Sequence, residues 1–91
     1  MFPTADMAPT DAIVTDYDQA HFLTYARVLD AERDGLDWET GLTSILYRNF
    51  GYDLDAGKTC WDSHVVRAHW IVKSGIAIML TDAKSPLQVM P

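Results

Sequence analysis

Ninety-one residues, 48% of them apolar and three of them tryptophan, suffice for one hydrophobic core and do not fit a disordered chain. The net charge of −6 is uneven: residues 1–56 set eleven acids against three arginines, and residues 57–91 set four cations against two acids. Few cations among many acids argue against a surface that neutralises DNA phosphates, and no apolar run approaches the ~20 residues of a membrane span.

The acidic, proline-broken start MFPTADMAPTDAIV lacks the basic flank and apolar stretch of a signal peptide, and a single cysteine closes no internal disulfide. A cytoplasmic location is expected. Residues 1–14 carry Pro3 and Pro9 without sustained periodicity and are expected to form a flexible arm, anchored at Ile13 and Val14.

The first helix is expected from Tyr17 to about Asp34. Thr15 or Asp16 caps it, Asp18 or Gln19 completes a weak capping box, and Gly35 stops it. Phe22, Tyr25, Ala26 and Leu29 share one side, and Tyr17, Ala20, Val28 and Ala31 another, which predicts a central helix between two neighbours. A second helix starts at Trp38 with Asp37 as cap and ends at Gly51. Trp38, Leu42, Ile45, Leu46 and Asn49 form its stripe, and Gly41 weakens it modestly.

After GYDLD, a longer link than the tightest helix-turn-helix, Asp55 is expected to cap a third helix over Ala56–Ser74, closed by Gly75. The run IAIML, residues 76–80, fits a short fourth helix or a strand-like extension. Helix is favoured, because nothing else in the chain reads as a strand to pair with it. TDAKSPLQVMP, residues 81–91, is expected to be a flexible tail. The expected architecture is an all-α domain of three to four helices over residues 15–80.

The densest chemistry lies in CWDSHVVRAHW, residues 60–70. A 100° wheel puts Cys60, Trp61, His64, Val65, Ala68, Ile71 and Val72 on a core face. Asp62, Ser63, Val66, Arg67, His69, Trp70, Lys73 and Ser74 fall on a mostly polar one. Val66 and Trp70 adjoin there, and an exposed tryptophan with an arginine nearby suits a partner surface. Alternatively, IAIML or the first helix covers them.

Cys60 and His64 stand four apart, but a structural zinc needs about four ligands and no second pair exists, so a buried thiol and a core histidine are expected. Catalysis by Cys60 needs a polarised thiolate beside an imidazole, for which a core helix face is a poor setting. Tyr17, Asp18 and His21 fit a structural polar cluster, although the row Tyr17, His21 and Tyr25 also suits a docking edge. The acidic run DAERDGLDWE, residues 30–39, fits a solvated helix junction or a dock for a basic partner. Helices two and three have helix-turn-helix lengths, yet Lys58, Arg67 and Lys73 lie at different azimuths and form no basic stripe.

TDYDQAHFLTYARVLDAERDGLDW (15–38) and CWDSHVVRAHWIVKSGIAIML (60–80) resemble the domain-of-unknown-function 2285 family. The resemblance rests on Asp16-Tyr17-Asp18, His21, Tyr25, Leu29-Asp30-Ala31 and Asp37-Trp38. In the second segment it rests on Trp61, Ser63-His64, Arg67-Ala68, Trp70 and Gly75. It implies an extended-turn variant of the helix-turn-helix. It also implies kinship with short, acidic, stand-alone members that act as antiactivators of integrative and conjugative element transfer, a form of horizontal gene transfer. Partners implied by the resemblance are transcriptional activators: one containing a related domain, and a quorum-sensing activator of the LuxR type. DNA-binding relatives are richer in arginine along and after the third helix, where this chain has His69, Ile76 and Ala77.

The expectation is therefore a protein-binding antiactivator in transcription regulation, not an enzyme, with no catalytic, cofactor or metal residues. The residues expected to grip the partner are Tyr17, His21, Val66, Arg67 and Trp70. The alternative is a sequence-specific DNA-binding regulator using the third helix. A third is a small enzyme or metal protein centred on Cys60 and His64.

Overall fold

Short-range hydrogen bonds set the helix boundaries. The computed structural model describes residues 3–75. Helix α1, Asp16–Ala20, opens with a reciprocal capping box: the Thr15 hydroxyl accepts from the Asp18 N–H, and the Asp18 carboxylate accepts from the Thr15 N–H. The expected single helix then breaks at His21, whose backbone N–H turns to the Asp18 carbonyl. The imidazole Nδ1–H of the same residue donates to the Tyr17 carbonyl at 2.7 Å, the acceptor that an unbroken helix would give to that backbone N–H. Helix α2, Phe22–Arg33, follows. It ends where expected, at Gly35, with φ +75°. Leu36 N–H bonds Ala31 O and Gly35 N–H bonds Glu32 O, the Schellman pattern.

Helix α3, Trp38–Ser44, is capped by Asp37, whose carboxylate accepts from Thr40 N–H. It stops well before Gly51, where the sequence pattern placed its end. The Thr4 hydroxyl donates to the Leu46 carbonyl at 2.6 Å, and Tyr47 turns left-handed, so the N-terminal segment holds an acceptor that a longer helix would have used. Gly41 is a packing site rather than a mere weakness: a Cβ there would lie 2.5 Å from the Trp61 indole.

The connector 45–53 exceeds the 3–4-residue turn of an ordinary helix-turn-helix. Helix α4, Leu54–Trp70, is capped by Asp53 rather than by Asp55, because the Asp53 carboxylate receives the Ala56 N–H at 3.0 Å. It runs into a π-helical turn, Ile71–Gly75. α4 packs on both α2 and α3, so it occupies the central place expected of the first helix. Tyr25, Val28, Ala31, Leu42, Leu46, Cys60, Trp61, Ala68 and Ile71 make the core.

Residues 3–14 do not form the loose arm expected of them. They lie as a strap against α1 and α4, tied at several points. Ala5 N–H donates to the Tyr17 hydroxyl, Ala8 N–H donates to the Ser63 hydroxyl, and Arg48 donates to the Thr4 carbonyl and pairs with Asp6. Periodicity is blind to such a segment, because its fixed points are backbone groups read by distant side chains.

Among the described residues there is no strand, and the domain is all-α. None of these helices is long and apolar enough to cross a membrane. IAIML and the tail 81–91 lie outside the described residues.

Candidate functional site

The strap and the α4 face beneath it enclose a groove, and Arg67 builds it. This side chain, expected on the outer face, is 4% exposed. Its Nε and one terminal nitrogen donate to the two oxygens of the fully buried Asp18, at 3.0 and 2.6 Å. The terminal nitrogens also donate to the carbonyls of Asp11 and Ile13, at 2.6 and 2.7 Å. One planar cation thus ties α4 to α1 and pins the strap on both sides of Ala12. Asp18 is saturated in turn, accepting also from the Tyr25 hydroxyl and the Thr15 N–H. Burial pushes its carboxyl upward, but the hydrogen bonds from Arg67, Thr15 and Tyr25 outweigh that and hold it at about 2.

The Arg67 guanidinium also lies 4.0 Å from the centre of the Trp70 ring, fixing the indole at the groove. The groove holds about 420 Å³, within the ~300–1,000 Å³ of typical binding clefts. Met7, Pro9, Asp11, Val66 and Trp70 line it together with Arg67. Val66 is 68% exposed and Met7 is half exposed, so apolar surface stands open at the groove.

Of the five expected gripping residues, Val66 and Trp70 meet at this groove. Arg67 supports it from inside. Tyr17 and His21 are drawn elsewhere, and His21 is buried. Its ring stacks on Tyr17 with centroids 4.1 Å apart, and Nε2 faces the Pro3 carbonyl at 3.2 Å. The Tyr17 hydroxyl, 2.6 Å from His64 Nε2, belongs to a relay. His64 Nδ1 lies 2.8 Å from the Cys60 carbonyl, an obligate acceptor, so Nδ1 carries the proton and Nε2 accepts from Tyr17. Burial lowers the His64 pKa and raises that of Tyr17, consistent with a neutral pair.

The Cys60–His64 spacing brings no thiol to the imidazole. The ring meets the Cys60 carbonyl, while the buried Sγ points at the Ala5 carbonyl, 3.5 Å away. Burial pushes the thiol above its usual range, the opposite of nucleophile activation. Among the described residues, no three His, Cys, Asp or Glu side chains converge to hold a metal ion.

The basic side chains of α4 are engaged with the chain's own acceptors. Lys58 donates to both oxygens of Asp62, Arg67 is buried against Asp18, and His69 is hydrogen-bonded to Glu32 across to α2. Lys73 stands apart on the π-helical turn.

Sequence reasoning missed Met7, Pro9 and Asp11 as groove residues, because the strap that carries them shows no periodicity. It also missed the connector. Tyr52 is fully exposed, Tyr47 and Leu54 are more than half exposed, and Tyr47 holds a left-handed φ of +56°. No family model, curated protein or solved structure matches this chain.

Proposed function

We propose that this chain is a cytoplasmic antiactivator. It binds a transcriptional activator through the groove at Val66 and Trp70 and keeps that activator from switching on conjugative-element transfer genes. The observation that carries the proposal is the division of labour along α4. Its basic side chains are engaged with the chain's own acceptors, while Val66 and Trp70 stand at an open apolar groove.

A helix entering the major groove needs cations aimed at phosphates and base edges. Arg67, the only arginine of α4, is turned inward with four of its N–H groups engaged, which disfavours the DNA-reading alternative. Helix α3, the connector and α4 keep the order of a helix-turn-helix with a lengthened turn, in agreement with the resemblance to the domain-of-unknown-function 2285 family. The proposed mechanism is competition. A small domain with the gripping face of a related domain occupies the activator, and the activator then fails to engage its promoter. The role is binding, with no catalytic step.

The test is co-expression with a related-domain activator and with a LuxR-type activator, followed by co-purification. Stable co-purification with at least one supports the proposal. Failure with both, from folded protein, overturns it. A parallel titration into duplex DNA at low salt separates the alternatives: tight, salt-sensitive binding would make the chain a DNA-binding regulator instead.

A further inference from the structure

We propose that the groove between the strap and α4 receives an apolar side chain of a partner protein that carries a lysine or arginine beside it. This rests on the binding role above and adds the chemistry of the occupant.

The apolar half of the argument is the lining. Met7, Pro9, Val66 and Trp70 supply hydrocarbon and one aromatic ring, and Met7 and Val66 remain open to solvent. An apolar side chain entering here removes water from both surfaces, and a rigid indole is the kind of group around which binding energy concentrates.

The charged half follows from the fate of each ionic group at the groove. Among the described residues of the lining Arg67 is the only cation, and its charge is met by Asp18 behind the groove and, more weakly, by the Asp11 carboxylate. Asp6 on the strap is paired with Arg48, and Asp62 on α4 with Lys58. The Asp11 carbonyl is bound by Arg67, but its side chain is exposed at the rim. Two carboxylates, Asp11 and Asp18, against one guanidinium leave the described groove with one net negative charge beside its hydrocarbon. A partner acid brought to the rim meets like charge, whereas a partner cation pairs with Asp11 as the apolar group docks. The surplus of acids over residues 1–56 adds long-range attraction for a basic segment.

The probes are three short peptides, each a tryptophan flanked on both sides by arginine, by serine or by glutamate. Each is titrated at low salt into the isotopically labelled full chain and followed by NMR. The expected result is saturable shifts at Val66, Trp70 and Asp11, with affinity falling in the order arginine, serine, glutamate. Asp11→Asn should weaken the arginine peptide by roughly two- to five-fold, the range of one exposed ion pair, and leave the serine peptide unchanged. This substitution keeps the backbone carbonyl that Arg67 binds. Val66→Asp should weaken the glutamate peptide most and the arginine peptide least.

Equal affinity for the glutamate peptide, insensitivity to Asp11→Asn, shifts confined to the connector, or no saturable binding would each overturn the proposal. An activator that co-purifies while no peptide binds sinks the assigned occupant and spares the antiactivator role. Peptides that bind as expected while no activator co-purifies do the reverse.

Discussion

Arg67 and Asp18 face each other in the interior as a two-point pair, Nε to one carboxylate oxygen at 3.0 Å and a terminal nitrogen to the other at 2.6 Å. They are 49 positions apart and tie α4 to the first turn of the helical domain. Asp18 also closes the capping box of α1, so one carboxylate sets a helix start, a helix contact and, through Arg67, the path of the strap.

Breaking such a pair leaves an uncompensated buried charge. Asp18→Asn is expected to cost about 3–5 kcal/mol, measured by urea denaturation. Removing both charges in Asp18→Asn/Arg67→Met should cost less than the sum of the single changes. A simple sum would mean that the two groups act independently.

Stability should fall in two stages as the pH is lowered. Burial depresses the His64 pKa, so the unfolded chain takes up a proton that the folded one refuses. That contribution is complete above about pH 6.5 and is lost as the pH falls toward the folded value. The Asp18 carboxyl, held at about 2 against an ordinary 3.8, contributes about 2 kcal/mol that disappears as the pH falls from about 4 through 2. Urea midpoints measured from pH 8 to pH 2 should show both slopes, and His64→Gln should flatten the first. A variant as steep as the parent would remove His64 from the account.

Gly41→Ala sets two effects against each other. Alanine is the better helix former by about 1 kcal/mol, but its Cβ would stand 2.5 and 2.7 Å from two carbons of the buried Trp61 ring. Overpacking costs about 1–3 kcal/mol, so net destabilisation is expected. A raised thermal midpoint would mean that the indole moves freely aside.

Tyr47→Gly is expected to do the opposite. A left-handed φ costs a residue with a Cβ roughly 1 kcal/mol, and the Tyr47 side chain is more than half exposed. The glycine variant should gain up to about 1 kcal/mol by denaturant melts. A loss would show that the Tyr47 ring has a structural duty in the connector.

Much of this fold is legible in the sequence, and the failures share a cause. Asp37 as a cap, Gly35 as a stop, and Trp61, Leu42 and Leu46 as core all follow from local rules, because each involves groups within a turn or two, or the period of 3.6. Arg67 and the strap escape the local rules because their partners are far off in sequence, whereas His21 joins the structural cluster with Tyr17 that its spacing suggests. A wheel assigns Arg67 to a polar face but cannot foresee that residues 11 and 13 will cross that face and offer carbonyls. The premature end of α3 has the same origin, Thr4 binding the Leu46 carbonyl. For the groove, Val66 and Trp70 could be found by their spacing, whereas its other wall could not. The one available clue was chemical: an arginine beside a tryptophan on a helix with so few cations invites the question of which acid holds it.

Val66→Asp tests the groove more cleanly than Trp70→Ala. Trp70 is half-buried and carries the Arg67 guanidinium on its ring, so losing the indole disturbs the support of the strap along with the surface. Val66 is 68% exposed, and a polar replacement there should shift stability by no more than about 0.5 kcal/mol. It removes hydrocarbon that an apolar side chain needs and puts a charge that must be desolvated in its place, a loss that the added attraction for a basic neighbour offsets only in part. Binding to the activator should weaken by about ten-fold or more, the effect of losing a contact of at least 1.4 kcal/mol. The measurement is activator affinity by calorimetry beside a denaturant melt of the same variant. Unchanged affinity in a fully folded protein would move the interface away from the groove, and the exposed connector around Tyr47 and Tyr52 would be the next surface to substitute.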